Sequence, residues 1–291
     1  MYEVNRILPG NNIETLKIIP DNSVNCCVTS PPYFSMRDYG IENQIGLEDT
    51  PEQYIQNLVD IFREVKRILK DDGTLWVNIG DSYAGGAKKW THPVIKSKDL
   101  IGLPWLLAFA LRADGWYLRQ DIIWAKPSPM PESIKDRFCK SHEYIFLFSK
   151  NKKYYFDQQH ALEDSIHYQR QNTAIRKRGY NRMPKEYNKW PQNHGNSIET
   201  TAQRTMRDVW FVATEISKVE HYAMFPEKLI LPCILCGCPV NGIVLDPFMG
   251  SGSTAVVAMK NFRRYIGCEI NPEYIKIAES RIANERGLWD E

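Results

Sequence analysis

The chain has 291 residues, 43% hydrophobic and 25% charged, with a formal net charge of +2. That length can bury one large core with an inserted or appended subdomain, and the composition is ordinary for a globular protein. It argues against a membrane-spanning class, since no run of about 18 apolar residues exists, and Met1 to Arg6 lacks the apolar centre of a signal peptide.

In chain order, Pro9-Gly10-Asn11-Asn12 marks a turn that leads into a short helical stretch ending near Ile19. Val24 to Val28 is an apolar run with two cysteines, which predicts a buried strand. Thr29-Ser30-Pro31-Pro32-Tyr33 follows, and the prolines, lacking an N–H, must end the ladder there. Phe34 to Asp49 is expected to be a loop over the site. Thr50-Pro51-Glu52-Gln53 has the form of a helix start, with Thr50 as N-cap, Pro51 first and Gln53 closing a capping box. Ile55, Leu58, Val59, Phe62, Val65, Ile68 and Leu69 then keep a helical period, and Asp71-Asp72-Gly73 predicts its end.

Thr74 to Ile79 is expected as a strand, with Gly80-Asp81 at its C-terminal end. Tyr83 to Asp99 has no usable period but carries Gly85, Gly86, Trp90 and lysines that include Lys88 and Lys89. A helix is predicted over about Pro104 to Ala113, then strands at Gln120 to Trp124 and Glu143 to Phe148, with His142 and Glu143 read as structural. This alternation predicts a parallel sheet with helices packed on it.

From 151 to 207 the period disappears. Eleven Lys and Arg stand against five Asp and Glu, a local +6 in a chain of +2. Arg170, Arg176, Lys177, Arg178 and Arg182 are interleaved with Tyr168, Tyr180, Tyr187 and Trp190. Cations beside aromatic planes and amides are what phosphate and base contact needs, so a polyanionic partner is expected here.

Order resumes with a strand at Asp208 to Val212 and a helix through Phe225-Pro226-Glu227-Lys228 toward Cys236. A strand at Ile243 to Leu245 precedes Asp246-Pro247-Phe248-Met249-Gly250-Ser251-Gly252-Ser253-Thr254. A helix over Ser253 to Asn261, a strand over Tyr265 to Glu269 and a charged amphipathic helix complete the chain. In the second motif, Gly250 and Gly252 are expected to let backbone approach a ligand, with Ser253 and Thr254 at a helix N-terminus. Glu269 ends the next strand, the position from which an acidic residue takes ribose hydroxyls. Asp246 would repel a pyrophosphate but suit a cationic ligand bearing a ribose, such as S-adenosylmethionine.

Together the two motifs resemble the amino-group DNA methyltransferases, in the circularly permuted order that puts the catalytic motif first. Thr29-Ser30-Pro31-Pro32-Tyr33 resembles their catalytic tetrapeptide in its serine form. Asp246 to Gly252 resembles their cofactor loop, and Phe225-Pro226-Glu227-Lys228-Leu229 the helix before it. The resemblance fades between about Tyr155 and Arg207, the place of that family's target-recognition region.

It implies an α/β, Rossmann-like S-adenosylmethionine-dependent methyltransferase fold, mostly parallel with helices on both faces. Residues 1–150 would be its catalytic part, 151–207 a basic target-recognition insert and 208–291 its cofactor-binding part. By the resemblance, Ser30, Pro31, Pro32 and Tyr33 act on the base. Phe225, Asp246, Pro247, Phe248, Gly250, Ser251, Gly252 and Ser253 bind the cofactor, Glu269 holds its ribose, and Asn11 stands near the adenine. Lys88, Lys89, Arg170, Arg176, Lys177, Arg178 and Arg182 would contact DNA. The implied reaction is methyl transfer to N4 of cytosine in a flipped-out base, with N6 of adenine as the alternative. The implied partners are double-stranded DNA, a cognate restriction endonuclease and a second copy of the chain, in a prokaryotic or phage setting.

Other readings remain. RNA or a protein glutamine could be the acceptor, and a non-catalytic DNA-binding module could keep the fold. A carbon-5 mechanism would need a nucleophilic cysteine, and Cys233, in the one Pro-Cys pair, precedes the cofactor loop; it is read as core packing. Cys233, Cys236 and Cys238 have no second ligand cluster nearby, so no metal is expected. The seven cysteines, several in apolar runs, suggest reduced thiols and a cytoplasmic setting.

Overall fold

A computed structural model describes residues 3–38, 40, 41, 44–85, 92–164, 203–214 and 225–286. The chain forms two compact units, Met1–His160 with Arg207–Glu291, and Ala161–Met206. The larger unit holds one eight-stranded sheet. Its strands are β1 (Arg6–Pro9), β2 (Val24–Thr29), β3 (Leu69–Ile79), β4 (Tyr117–Ala125), β5 (His142–Ser149), β8 (Val209–Phe211), β9 (Ile243–Asp246) and β10 (Arg264–Glu269). In the smaller unit, β6 (Leu162–Asp164) and β7 (Gln203–Thr205) pair antiparallel, and Arg204 reaches Glu163 at 2.9 Å.

The sheet order is β1-β10-β9-β2-β3-β5-β4-β8. The pairings from β1 through β3 are parallel, and β8 is parallel to β4, but β5 runs antiparallel to both β3 and β4. The sheet is therefore mixed rather than wholly parallel. The reversal matters for the site. Because Ile79 lies opposite Tyr144 and Ala125 opposite His142, the start of β5 reaches the edge where β3 and β4 end. Glu143 is thereby delivered beside the strand ends that carry the first motif.

The helices are α1 (Asn12–Lys17), α2 (Pro51–Ile68), α3 (Leu103–Ala113), α4 (Glu227–Gly237), α5 (Ser253–Lys260) and α6 (Pro272–Arg286). α2 begins as its sequence implies: Thr50 accepts a hydrogen bond from the Gln53 N–H at 3.2 Å and Pro51 sits in the first turn. Its apolar stripe, from Ile55 through Val65, is buried in the main core. The helix stops three residues earlier than Asp71-Asp72-Gly73 suggests. Leu69 is already extended and starts β3. The register against β2 then jumps from Val24 opposite Leu69 to Cys26 opposite Thr74, so Lys70 to Gly73 bulge within the strand. A turn-like tetrapeptide is absorbed there as an irregularity, not as a boundary.

After β2 the chain passes through α2 to β3, and after β9 through α5 to β10, on the opposite side. β2 and β9 are thus neighbours at a topological switch point, where a crevice opens beyond the carboxyl ends of the strands. None of the helices is long and apolar enough to cross a membrane, among the described residues.

Candidate active site

A cavity of about 840 Å³ lies at this edge of the larger unit. Ser30, Pro31, Pro32 and Tyr33 line it from the end of β2, and Asn11, Phe225, Pro247, Phe248, Gly250, Ser251, Ser253 and Glu269 line it from the second half of the sheet and its loops. Two motifs more than 200 positions apart in sequence share one wall.

Glu269 ends β10 with its carboxylate turned to backbone. It accepts from the Gly250 N–H at 2.7 Å and the Asn271 N–H at 2.8 Å, and burial raises its pKa against those bonds. Each oxygen keeps a further lone pair, which suits a diol. Asn11 caps α1, accepting from Ile13 N–H at 2.9 Å, so its oxygen is in use and its amide N–H2 remains the group to offer a ligand. Behind the glycine loop, Arg281 of α6 donates to the Ser251 carbonyl at 2.8 Å, to Ser251 Oγ at 3.1 Å and to Ser253 Oγ at 3.2 Å, and also pairs with Glu227 at 3.2 Å. That cation ties the loop to the first turn of α4. The second motif's C-terminal partner was not visible in local sequence.

Two residues of that motif have other places. Asp246, expected beside the cofactor, does not line the cavity and is 1% exposed. Its Oδ1 accepts from Thr29 Oγ1 at 2.6 Å and from the Phe248 N–H at 3.0 Å, and its Oδ2 from Thr254 Oγ1 at 2.7 Å. Burial raises its pKa to about 6 even so. The carboxylate clamps the residue before Ser30 to the cofactor loop. Gly252 is also absent from the cavity wall: a Cβ there would stand 2.9 Å from the Ala278 Cβ, so its bare backbone serves the packing of α6. Gly250, at φ +53 and on the cavity wall, is the one that allows close approach.

Tyr33 is held at both ends. Its ring lies against Gly80, where a Cβ would come within 2.7 Å of Cε2. Its hydroxyl donates to Glu143 Oε2 at 2.5 Å, an oxygen that also accepts from Asn78 Nδ2 at 3.2 Å. Lys126 pairs with the other Glu143 oxygen and stands over the Trp124 ring. Burial, then the Glu143 charge, push the Tyr33 phenol well above its ordinary pKa, while the Ser30 hydroxyl opposes the shift. Tyr54 donates to the Pro32 carbonyl at 2.9 Å and so fixes the turn. Glu143 and His142, read from sequence as structural, both line the cavity. Asn78 and Lys126 were not singled out at all. Their only sequence signal is a polar group at a strand end.

Asp81 has a structural task. Its carboxylate accepts from the N–H groups of Gly102 and Leu103 at 2.9 and 3.1 Å, capping α3, whose own N-cap residue is a glycine. Lys140 donates to the Asp81 carbonyl, and desolvation pulls its pKa down against the Asp81 and Glu143 charges. The cysteines considered for chemistry are buried: Cys233 on α4 with Cys236, and Cys238 just beyond, with burial raising all three thiols. Among the described residues no group of His, Cys, Asp or Glu is arranged to hold a metal. Lys88, Lys89, Arg170, Arg176, Lys177, Arg178 and Arg182 lie outside the described residues.

A strand-end crevice with a buried acid at one strand end, a glycine loop, and oxygen acceptors beside an aromatic ring carries the groups that a nucleoside-dependent methyltransferase site needs. A family model for N6/N4 DNA methylases matches residues 24–280. The chain belongs to that family, and it is a DNA methyltransferase that uses S-adenosyl-L-methionine. It is 42% identical to the Type II methyltransferase M.Cfr9I of Citrobacter freundii, over 96% of this chain and 88% of that protein. It is also 42% identical to the Type II methyltransferase M.SmaI of Serratia marcescens, over 97% and 91%. The Thermus thermophilus protein TTHA0409, in complex with S-adenosyl-L-methionine, superposes with a TM-score of 0.62 at 25% identity, covering 97% of this chain and 96% of that one. The PvuII DNA methyltransferase, described as cytosine-N4-specific, shares the fold with a TM-score of 0.65 at 19% identity, covering 98% and 92%.

Proposed function

We propose that the chain methylates the exocyclic N4 of cytosine in duplex DNA, as the modification half of a Type II restriction-modification pair. The observation that carries the N4 assignment is Ser30: a neutral hydroxyl, not a carboxylate, stands beside the Pro31 carbonyl on the cavity wall. The cytosine-N4 specificity of the PvuII enzyme, which has the same fold, supports it, and the names of M.Cfr9I and M.SmaI support the restriction setting.

The bound cofactor supplies a methyl group on a sulfonium. Phe225, Phe248, Ser251 and Ser253 would hold its methionine end, Glu269 its ribose hydroxyls, and the Asn11 amide its adenine. An exocyclic amino group is a weak nucleophile, because its lone pair is delocalised into the ring. Ser30 Oγ and the Pro31 carbonyl, accepting from that amino group, draw it toward tetrahedral geometry and stabilise the charge that develops on alkylation. Tyr33, already oriented by Gly80 and Glu143, offers its ring to the base, a contact worth about 1–3 kcal/mol. That offsets part of the few kcal/mol needed to take a base out of the stack. The basic residues of 151–207 would contact phosphates and read the target.

The test is incubation with labelled S-adenosyl-L-methionine and genomic DNA, nucleoside mass spectrometry, and mapping of the modified sites. N4-methylcytosine is expected; N6-methyladenine would overturn the base assignment while leaving the mechanism. Ser30→Ala should lower kcat by about 100-fold or more, the scale of losing one stabilising group, with cofactor binding retained. Sedimentation of the purified chain tests the homodimer.

A further inference from the structure

The loop from Lys126 to Ser141 joins β4 to β5 at the mouth of the cavity, and Met130, Glu132 and Lys140 of this loop line it. Its neck is closed by the Lys126 N–H to the Ser141 carbonyl at 2.8 Å. Arg137 stacks on the Tyr83 ring at 3.9 Å and pairs with Glu132 at 2.6 Å. Asp136 is tied to Lys98 at 2.6 Å, and Lys140 to the Asp81 carbonyl. Between these anchors Phe138 is 96% exposed, the most exposed large apolar side chain among the described residues, and Met130 is 87% exposed. The two lie on facing arms of the loop, since Cys139 Sγ approaches the Met130 carbonyl at 3.7 Å.

A single exposed apolar side chain requires no explanation. This one is flanked by residues pinned to the cavity wall, and it stands two positions from Lys140, within about 7 Å along the chain. Taking a base out of a duplex leaves a gap, and proteins that open DNA commonly fill such a step with a Phe, Leu, Ile or Met wedge. Lys135 of the same loop is exposed and carries a charge that suits a flanking phosphate.

We propose that Phe138 is the wedge that enters the base stack when the target nucleotide moves into the cavity, with Met130 as its apolar support. This rests on the cavity being the seat of a flipped base. An anchored loop suits the task, because a wedge on a mobile loop would be displaced by the closing duplex.

The experiment compares Phe138→Ala, Phe138→Trp and the unaltered protein on oligonucleotide duplexes carrying the mapped site, either matched or with a mismatch at the target base. Methyl transfer by the unaltered protein reports on the proposed function; the wedge is read from the ratio of variant to unaltered rates on the same duplexes. Phe138→Ala is expected to lose about tenfold or more in kcat/KM on the matched duplex. A mismatch, which makes flipping easier, should restore most of that loss, and Phe138→Trp should stay near the unaltered rate. Equal rates for Phe138→Ala and the unaltered protein on matched DNA would overturn the proposal. So would an equal loss on matched and mismatched duplexes, which would mark Phe138 as a general contact.

Discussion

Replacing Asp246 by Asn separates the clamp seen in the structure from the ligand role its motif suggests. The amide keeps one oxygen for Thr29 and the Phe248 N–H. Its new N–H2 can donate to Thr254 Oγ1, whose hydroxyl, donated to Asp246 in the native protein, can turn to the Val28 carbonyl 3.4 Å away. The variant should therefore fold and bind S-adenosyl-L-methionine within a few-fold of the parent. Its pH dependence should change. In the native state the Asp246 pKa is raised to about 6 from 3.8, so the folded protein holds this proton more tightly than the unfolded chain. The stabilisation that protonation brings is fully present below 3.8 and is lost as pH rises through about 6. The interval between the two values corresponds to about 3 kcal/mol, of which about 1.4 kcal/mol falls between pH 8 and pH 5. Groups common to both proteins cancel in the difference. Urea unfolding of parent and Asp246→Asn across that range should show the parent gaining about 1.4 kcal/mol relative to the variant on acidification. A stability difference that does not move with pH, or a large loss of cofactor affinity in Asp246→Asn, would refute the clamp.

The catalytic side yields two further expectations. Glu143→Gln removes the charge that receives Tyr33, Asn78 and Lys126 together; kcat should fall about 10- to 100-fold, the worth of a charge-assisted bond, with cofactor affinity unchanged in calorimetry. Gly80→Ala places a methyl group 2.7 Å from the Tyr33 ring, so it should lower methyl transfer without weakening cofactor binding, and the loss should be absent when Tyr33 is already replaced by Ala.

Local chemistry made much of the site legible. A proline pair after an apolar run, a glycine loop after a second strand and an acid ending a third are all signals confined to a few residues, and each lies at a strand's C-terminal end in the structure. The start of α2 was legible for the same reason, since a cap and its first turn are neighbours in sequence. Glu143 was not. Its strand could be read from its apolar residues, but nothing local says that β5 runs against β3, and only that reversal brings its first residues to the cavity. Asp246 and Gly252 were seen in the motif, but their packing partners, Thr29 and Ala278, lie far off in sequence and could not be read from it.

The Asp246 clamp also explains why two motifs so distant in sequence work as one site. Ser30 is useful only if its oxygen stays in line with the group transferred from the cofactor loop, and misplacement of reacting groups by about 1 Å can cost about 100-fold in rate. β2 and β9 are adjacent, but their ladder registers only Cys26 and Cys27, and it ends before the residues that do the chemistry. Beyond those pairs, Thr29 to Asp246 to Thr254 is the bond path that keeps the serine turn and the glycine loop in register. The bonds are buried, short and charge-assisted, so they hold where backbone pairing stops. A partly costly buried carboxylate is retained at that position because its two oxygens can grip both the end of β2 and the start of α5, which an apolar residue of the same size cannot do.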